Sequence, residues 1–295
     1  MALPDRARLQ SDLLLLTTAA IWGTAFVACR VAMESLGPFL FNGLRFAVGA
    51  LALLPWLRRR LRSITRRELW GGALAGAMIF SASGLQQTGM QVTTAGKAGF
   101  ITSLYIILVP LLMTVVWRRP PRWPAWVAAL LAAAGLFLLS GAGRLALAPG
   151  DGLVLAGMVF WALHVIVIGR FAGQSDPLRL ALVQYLVCSL LSLLVAGGWE
   201  RSTLGGLSEG WWTVLYTGVF SIGLGYTLQV VGQRRAPPSD AALILSTESV
   251  FAAFFGWLLL GETLGALQVA GCGLILTGVV LAQIGKDGQR MRGAD

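Results

Sequence analysis

Charged residues are scarce in this sequence. They make up 12% of its 295 residues, whereas 56% of the residues are hydrophobic. A soluble domain carries a charged share roughly twice as large, and the mean hydropathy here is +0.74. The composition therefore excludes an ordinary soluble fold and predicts an all-α membrane protein.

Histidine and cysteine are nearly missing as well. The chain has one histidine, His164, and three cysteines, Cys29, Cys188 and Cys272, which lie inside apolar runs without CxxC spacing. These residues offer neither a metal-ligand cluster nor a disulfide framework, so we expect no metal and no cofactor. An intramembrane enzyme would need an activated nucleophile or metal cluster, and a non-transporting scaffold would need an output domain or long loops. The sequence shows neither set of features, so neither class is expected.

Long apolar runs are what the sequence has in abundance. About 20 apolar residues, rising 1.5 Å each, cross the hydrocarbon core of a bilayer. Ten runs are long enough, and the gaps between them are too short for a soluble domain. The predicted transmembrane helices are residues 13–32, 39–57, 69–89, 97–117, 123–141, 152–170, 177–198, 211–231, 239–260 and 266–285.

The positions of lysine and arginine predict the orientation of these helices. Of the 23 such residues, 18 lie on the side of the N-terminus and five on the other side. Because positive loops stay in the cytoplasm, we expect both termini to be cytoplasmic, in the cell inner (plasma) membrane, with a polar tail at 286–295. The positively charged loops on the cytoplasmic side therefore explain the net charge of +10. The lipid bilayer is the expected partner, and nucleic acid is not.

The second half of the sequence repeats the first. Matching residues recur at two constant offsets, 139 early in each half and 143 later. The matches are Trp22 with Trp161, Pro38 with Pro177, Gln86 with Gln229, Gly89 with Gly232 and Gly135 with Gly278. Five helices per copy is an odd number, so the second copy is inverted relative to the first. We predict two repeats, 13–141 and 152–285, and inverted repeats are typical of secondary transporters whose site lies near the bilayer midplane.

One carboxylate lies in the middle of the ninth run. Glu248 interrupts the apolar stretch 239–260, which aligns with 96–117 so that Tyr105 occupies the equivalent place. An ionisable side chain at that depth is costly unless it faces protein, water or a partner. We predict that Glu248 carries a proton or binds a substrate ammonium group. The alternative is a structural carboxylate that is hydrogen-bonded between helices.

Aromatic and polar residues lie at a similar depth, roughly 12–18 Å from a helix end and so near the midplane. These residues are Trp22, Tyr105, Trp161, His164 and Glu248. We predict that they surround one central cavity, which Phe26 also lines. Glu248 is the candidate partner of His164 by depth, and such a pair would share a proton. For the aromatic residues, ordinary core packing is the alternative.

Three polar residues are expected at the edge of this cavity. Arg45, nearer the outer surface, is predicted to bind a carboxylate of the substrate or an outer gate residue, with snorkelling or a structural ion pair as the alternative. Gln86 and Gln229 are expected to form hydrogen bonds between helices or to line the pocket. Glu262, just after the ninth run, is expected to cap the last helix.

Residues 225–282 resemble the second half of EamA-type members of the drug/metabolite transporter superfamily. The features that carry the resemblance are Gly225-Tyr226, Glu248 before an aromatic and aliphatic stretch, Gly261-Glu262 and a Gly-rich last helix. Ser249 departs from the pattern, because the family often has proline after the glutamate. This departure bears on how sharply the ninth helix kinks.

Residues 21–46, with Trp22-Gly23, Pro38 and Arg45, resemble that family's first helix pair. The resemblance covers nearly the whole chain and implies a ten-helix inner-membrane carrier, often an exporter of amino acids or other metabolites. It indicates fold and general role well, and the substrate poorly.

These observations together predict a secondary transporter. Its expected cargo is a small amphipathic metabolite, either an amino acid (aromatic ones included) or a drug-like solute, exported by alternating access around a midplane cavity. Proton-coupled import of a small organic anion or metabolite is the alternative. The expected partners are a small-molecule substrate, the bilayer and protons, and the expected state is a monomer or weak homodimer.

Overall fold

The structure is a computed structural model that describes residues 6–57, 63–93, 95–140, 148–200, 204–260 and 263–290. Every regular element in these ranges is helical, which confirms the all-α class. The expected cap at Glu262 lies outside the described residues, as do the last five residues of the predicted tail. Arg144 and Arg201, two of the five basic residues expected on the side opposite the N-terminus, lie outside them as well.

The helices follow the ten apolar runs. In the first half they are α1 Arg6–Ala32, α2 Pro38–Leu57, α3 Arg66–Met90, α4 Ala95–Ser103, α5 Tyr105–Val115 and α6 Trp123–Leu139. In the second half they are α7 Asp151–Phe171, α8 Pro177–Trp199, α9 Leu207–Tyr216, α10 Thr227–Gly232, α11 Pro238–Leu245, α12 Glu248–Leu260 and α13 Ala266–Arg290. The fourth, eighth and ninth runs are each interrupted, so α4–α5, α9–α10 and α11–α12 are broken segments. A π-helical stretch, Thr217–Tyr226, joins α9 to α10.

Six of these segments are long and apolar enough to cross a membrane by length and composition. They are Arg6–Ala32, Pro38–Leu57, Lys97–Val115, Asp151–Gln174, Pro177–Trp199 and Leu207–Gly232. Trp123–Leu139 and Ala266–Ala282 are apolar but shorter. The chain is therefore a multi-pass membrane protein by these segments, and the side on which its termini lie stays a prediction.

Local capping explains where several helices begin. Thr65 accepts a hydrogen bond from the Glu68 backbone, and the Glu68 side chain accepts one from Thr65, so α3 begins three residues before the predicted run. Asp176 caps α8 with Pro177 at its first position. At the other end of the chain, α13 continues through Arg290 into the predicted tail.

Helices α6 and α13 pack closely through glycines. A Cβ added at Gly135 would lie 2.5 Å from the carbonyl oxygen of Gly271, and one at Gly278 would lie 2.7 Å from that of Ala128. Neither position has room for a larger residue. Gly278 is the repeat equivalent of Gly135, and Gly271 that of Ala128, so the two contacts are the same contact made twice.

A second reciprocal pair lies elsewhere in the molecule. A Cβ at Gly89 would lie 2.7 Å from the Val154 side chain, and one at Gly232 would lie 2.9 Å from the Leu15 side chain. Gly232 and Val154 are the repeat equivalents of Gly89 and Leu15. In both cases residue i contacts residue j, and the equivalent of i contacts the equivalent of j. A two-fold relation between the halves produces this pattern.

The two broken segments α4–α5 and α11–α12 break at equivalent residues. The Leu104 amide donates to the Ile101 carbonyl at 3.2 Å, and the Thr247 amide donates to the Ile244 carbonyl at 3.1 Å. Both are the tighter i to i+3 bonds of a 3₁₀ turn. The Thr247 hydroxyl also donates to the Ile244 carbonyl, at 2.6 Å, which competes with the helical ladder. The ninth segment therefore breaks just before Glu248 without a proline.

Candidate functional site

All nine residues singled out by the sequence line one cavity. They are Trp22, Phe26, Arg45, Gln86, Tyr105, Trp161, His164, Gln229 and Glu248. They come from seven helices in both halves, α1, α2, α3, α5, α7, α10 and α12. The cavity offers about 60 Å³ to water-sized molecules, which is room for about four to six waters.

Tyr226, at the end of the π-helical stretch, is the centre of the aromatic wall. Its ring centroid lies 4.6 Å from that of Trp22, 6.2 Å from Trp161 and 5.8 Å from His164. The sequence interpretation did not place Tyr226 in the site. Its repeat equivalent is Ser83, so repeat pairing gave no aromatic match. The Gly225-Tyr226 motif was the signal that pointed to it.

The two equivalent tryptophans are held by different partners. The Trp161 indole N–H donates to the Gln86 side chain at 2.7 Å, whereas the Trp22 indole N–H donates to the Ser221 backbone carbonyl at 3.2 Å. Ser221 belongs to the π-helical stretch. Both indole N–H groups are therefore satisfied within the protein, as buried indoles usually are.

Glu248 is 4% exposed and begins α12. Its carboxylate accepts a hydrogen bond from Ser103 Oγ at 3.4 Å, which joins α12 to α4. A Cβ added at Gly23 would lie 2.9 Å from the Glu248 carbonyl oxygen and 2.7 Å from Phe251 Cβ. The close approach of α1 at Gly23 thus fixes the first turn of α12, which carries the carboxylate into the cavity wall.

His164 does not bond to Glu248, which corrects the hypothesis of a shared proton between them. Its Nε2 lies 3.0 Å from Gln184 Oε1 on α8, and Nδ1 has no partner among the described residues. The physical reason is proximity: α8 supplies Gln184, the repeat equivalent of Arg45, beside the α7 histidine. The depth argument placed His164 and Glu248 in the same layer but gave no lateral distance.

Arg45 is 5% exposed, so it is buried rather than snorkelling to the surface. Its Nη1 donates to Cys29 Sγ at 3.1 Å, and its guanidinium carbon lies 4.9 Å from the Phe41 ring centroid and 5.3 Å from that of Phe46. Within the described ranges, none of the ion pairs includes Arg45. Cation–π contacts and one sulfur acceptor are what stabilise this buried charge.

Several buried polar atoms around the cavity have no hydrogen-bond partner in the part of the chain that the structure describes. They are Tyr105 Oη, His164 Nδ1, Gln229 Oε1, Gln87 Oε1 and Arg45 Nε. Leaving such an atom unsatisfied costs about 1–3 kcal/mol. Their concentration around one cavity indicates that water or a solute completes these bonds. Over the described residues, no group of three or more His, Cys, Asp or Glu side chains forms a metal site.

Two ion pairs lie at equivalent places in the repeats. Lys97 on α4 lies 3.6 Å from Asp151 at the start of α7, and Asp240 on α11 lies 3.2 Å from Arg8 near the start of α1. Lys97 and Asp240 are repeat equivalents. Each pair ties the first part of a broken segment to the first helix of the other half.

The two pairs lie at opposite ends of the molecule. Arg8 shares a second cavity, of about 460 Å³, with Met113 and Arg119 at the far end of α5. Lys97 lies near the start of the α4–α5 segment. We name the two ends the Lys97 end and the Arg8 end. The central cavity lies between them.

A family model matches this chain twice. The model, described as the EamA-like transporter family, covers residues 9–141 and again 148–283. The chain belongs to the EamA-like transporter family. This confirms the resemblance to EamA-type members of the drug/metabolite transporter superfamily that the sequence motifs indicated.

Relatives of this EamA-family protein carry transporter names. An uncharacterized transporter from Archaeoglobus fulgidus is 32% identical over 281 residues, covering 94% of this chain and 87% of the relative. The Escherichia coli uncharacterized inner membrane transporter YedA is 27% identical, covering 90% and 88%. A solved crystal structure superposes with a TM-score of 0.78 at 20% identity, covering 93% of this chain and 96% of its own. That likeness shows the fold alone.

Proposed function

We propose that this EamA-family protein is an inner-membrane secondary transporter that moves a small amphipathic metabolite, amino acids first, by alternating access around the central cavity. Export is the proposed direction. The observation that carries the proposal is the cavity itself. Seven helices from both halves surround it, and it combines an aromatic wall with two buried ionisable side chains, Arg45 and Glu248.

The paired ends of the molecule support alternation. In inverted-repeat transporters, one repeat moves against the other around a fixed site near the midplane. The Lys97–Asp151 and Arg8–Asp240 pairs share one repeat-equivalent partner, Lys97 and Asp240, and each ties a broken segment to the first helix of the other half at opposite ends. We take each pair as a gate that opens while the other stays closed. With both pairs formed, the cavity offers about 60 Å³ to water-sized molecules, and in this proposal an amino acid enters as one end opens further.

Proton-coupled import of a small organic anion is the second candidate. Two observations favour it. Arg45 is a buried cation with no carboxylate partner among the described ion pairs, and Glu248 has one weak hydrogen bond in an apolar wall. An anion would pair with Arg45 while Glu248 took up the co-transported proton.

Flux into and out of proteoliposomes tests the proposal. We expect the purified protein to accelerate exchange of at least one radiolabelled amino acid from a panel of all twenty. We expect Glu248→Gln to change the rate or its pH dependence, because Glu248 is the one carboxylate among the described residues that line the cavity. The matched control is Glu34→Gln, which removes an exposed carboxylate paired with Arg30 at 3.7 Å.

Two results would count against it. A folded protein that carries none of the amino acids, small organic acids or amines in either direction is not a transporter of this kind. If Glu248→Gln keeps the wild-type rate and pH profile, the carboxylate has no part in transport. Uptake of organic acids alone, with proton flux, would favour the second candidate.

A further inference from the structure

The second cavity, at the Arg8 end, lies outside the central site. Its volume is about 460 Å³, and its lining combines three arginines, Arg8, Arg119 and Arg122, with one carboxylate, Asp240. That carboxylate is already paired with Arg8, at 3.2 Å. Within the described ranges, none of the ion pairs includes Arg119 or Arg122. Two cations therefore line this cavity without a counter-charge.

Arg122 lies where a helix favours the opposite charge. It is the residue just before α6, its side chain makes no capping hydrogen bond, and the first turn of α6 contains no acidic residue. The positive end of a helix dipole stabilises an anion and disfavours a cation placed beside it. An anion in the cavity would neutralise the arginine and the helix end together.

The chain between α5 and α6 is held in an unusual conformation. Arg118 has a φ of 51°, in the left-handed region that residues other than glycine rarely adopt, and the equivalent residue of the second half is Gly261. The turn at Arg118 lets the Arg119 amide donate to the Met113 carbonyl at 2.8 Å. Strained residues of this kind cluster at sites that clamp a ligand. Here the strained turn leads directly into the arginines of the cavity.

The topology of the membrane protein explains the sign of these charges and leaves their arrangement unexplained. Positive loops keep this end of the molecule on the cytoplasmic side, but that role needs neither a cavity nor a strained turn. Repeat symmetry does not supply the arrangement either, because the equivalents of Arg119 and Arg122 are Glu262 and Gly265. The cluster is therefore a feature of one end of the molecule.

Exposed apolar residues place this cluster at the membrane surface. Val115 and Val116, at the end of α5, are 67% and 59% exposed, which indicates contact with lipid. Trp117 and Trp123, on either side of the arginines, are 36% and 75% exposed. Exposed tryptophans favour the interface between membrane and water. The cavity therefore lies at the level of the lipid headgroups, where lipid phosphates are concentrated.

We propose that this cavity binds the phosphate group of an anionic phospholipid from the leaflet at the Arg8 end. Arg119 and Arg122 hold the phosphate oxygens, which a guanidinium group binds through paired hydrogen bonds. The apolar part of the lining, Met113, Ala125 and Ala282, receives the glycerol and the first carbons of the acyl chains. This inference goes beyond the proposed transport function and does not depend on it.

Lipid binding to the purified full chain tests the proposal. Dioctanoyl phosphatidylglycerol is titrated against the protein in a non-ionic detergent, and the bound fraction is read by native mass spectrometry. Dioctanoyl phosphatidylcholine, whose headgroup has no net charge, should bind about tenfold more weakly. Glycerol 3-phosphate has the phosphate without acyl chains, and it should displace the lipid only at about tenfold higher concentration or more.

A matched pair of double variants separates this site from general attraction to basic residues. Arg119→Gln with Arg122→Gln should weaken phosphatidylglycerol binding about tenfold to thirtyfold. Both side chains are exposed, so the fold should be kept. Arg66→Gln with Arg67→Gln removes the same charge from exposed residues at the start of α3, at the same end of the molecule, and should keep the wild-type affinity.

Two substitutions of Arg118 separate the shape of the turn from its charge. Arg118→Gly and Arg118→Val remove the same charge, but glycine adopts a φ of 51° readily and a β-branched residue does not. The glycine variant should bind phosphatidylglycerol with an affinity within about twofold of the wild type, and the valine variant should bind it several-fold more weakly.

Three results would overturn the site. Equal affinity for the two lipids means that the charge of the headgroup is not recognised. Equal weakening by the two double variants means that basic residues attract the lipid without a specific site, and equal competition by glycerol 3-phosphate means that the ligand is a soluble phosphate compound. None of these measurements uses flux, so their failure leaves the transport function standing, and absence of flux leaves the lipid site standing.

Discussion

The Lys97–Asp151 ion pair is the most direct place to test alternation. Lys97→Gln removes the cation and keeps a side chain of similar length. Asp151 stays hydrogen-bonded in the variant, because the Thr93 hydroxyl and the Ala148 amide both donate to it. The substitution therefore removes the ion pair between α4 and α7 without removing the bonds that hold the start of α7.

The size of the effect follows from the geometry of the pair. At 3.6 Å, the Coulomb attraction is about 4–5 kcal/mol with an effective dielectric constant of about 20. Desolvation offsets much of it, because the Asp151 side chain is 7% exposed and that of Lys97 is 21% exposed. We expect a net loss of about 1–2 kcal/mol, which makes opening at the Lys97 end about 5–30 times more frequent.

A cysteine in the cavity lining reports this opening. Cys29 is 5% exposed and lines the central cavity, so a membrane-impermeant maleimide should reach it faster when one end opens. In a Cys188→Ser, Cys272→Ser background, Lys97→Gln should raise the labelling rate about 5–30-fold from the Lys97 end. Reagent confined to one face of sealed vesicles identifies the end. Asp240→Asn, at the repeat equivalent of Lys97, should raise labelling from the Arg8 end instead.

Glu34→Gln is the control, because it breaks an exposed pair of similar length, 3.7 Å, which contributes little. An unchanged Cys29 labelling rate in Lys97→Gln would refute the gate. Equal increases from both faces would also refute it, because they indicate a loosened fold rather than one opened end.

Two further predictions concern the framework around the site. Gly135→Ala should lower the free energy of unfolding by about 1–3 kcal/mol, measured by thermal unfolding in detergent, because its Cβ would lie 2.5 Å from the Gly271 carbonyl oxygen. The control is Gly273→Ala, where an added Cβ would have nothing within 4 Å. Equal effects of the two substitutions would contradict the close packing. At the start of α3, burial alone would raise the pKa of Glu68, but hydrogen bonds from the Thr65 and Asp176 amides and the charge of Arg179 hold that pKa below its usual value. The stabilisation is therefore complete above the unfolded pKa of about 4.3 and is lost as the pH falls through the lower folded pKa. The difference in unfolding midpoint between wild type and Glu68→Gln should narrow on acidification, and a difference independent of pH would contradict the assignment.

The helices and the cavity lining were predictable from sequence because both follow from depth and repetition. Long apolar runs locate helices, and a constant offset locates equivalent residues, so Trp22 and Trp161 were assigned to one layer before any contact was known. Glu248 was predictable because an isolated carboxylate in an apolar run has few tolerable environments. The depth of a residue along a helix depends only on its own segment of the chain, so one sequence is enough to predict it.

Lateral neighbours were not predictable in the same way. The partner of His164 is Gln184, and both the Lys97–Asp151 and Arg8–Asp240 pairs join segments that are distant in sequence. Such contacts depend on the rotation of each helix about its axis, which neither hydropathy nor spacing specifies. Tyr226 was missed for a different reason, because its equivalent in the other half is a serine and repeat pairing gave no aromatic match.

The π-helical stretch explains how similar halves come to hold the site differently. Gly76 packs on the Gln184 carbonyl oxygen, and Gly218 packs on that of Arg45. These contacts are equivalent, and the two glycines are 142 residues apart. Gln86 and Gln229, further along the same segments, are equivalent at 143, so the second half contains one extra residue between them. In a plain α-helix that residue would rotate everything after it by about 100°, and Gln229 would leave the cavity. The π-helix takes up the extra residue, so both contacts are kept.

The same stretch also changes what the second half offers to α1. Its Ser221 carbonyl accepts the Trp22 indole N–H, and its Gly225 carbonyl accepts the Thr18 hydroxyl at 3.2 Å. The Trp161 indole is held instead by a side chain of the first half, that of Gln86. Backbone carbonyls thus anchor one tryptophan and a side-chain amide anchors the other. A two-fold arrangement of helices can in this way enclose a cavity whose two sides differ in chemistry, and such a cavity can hold a polar solute in one orientation.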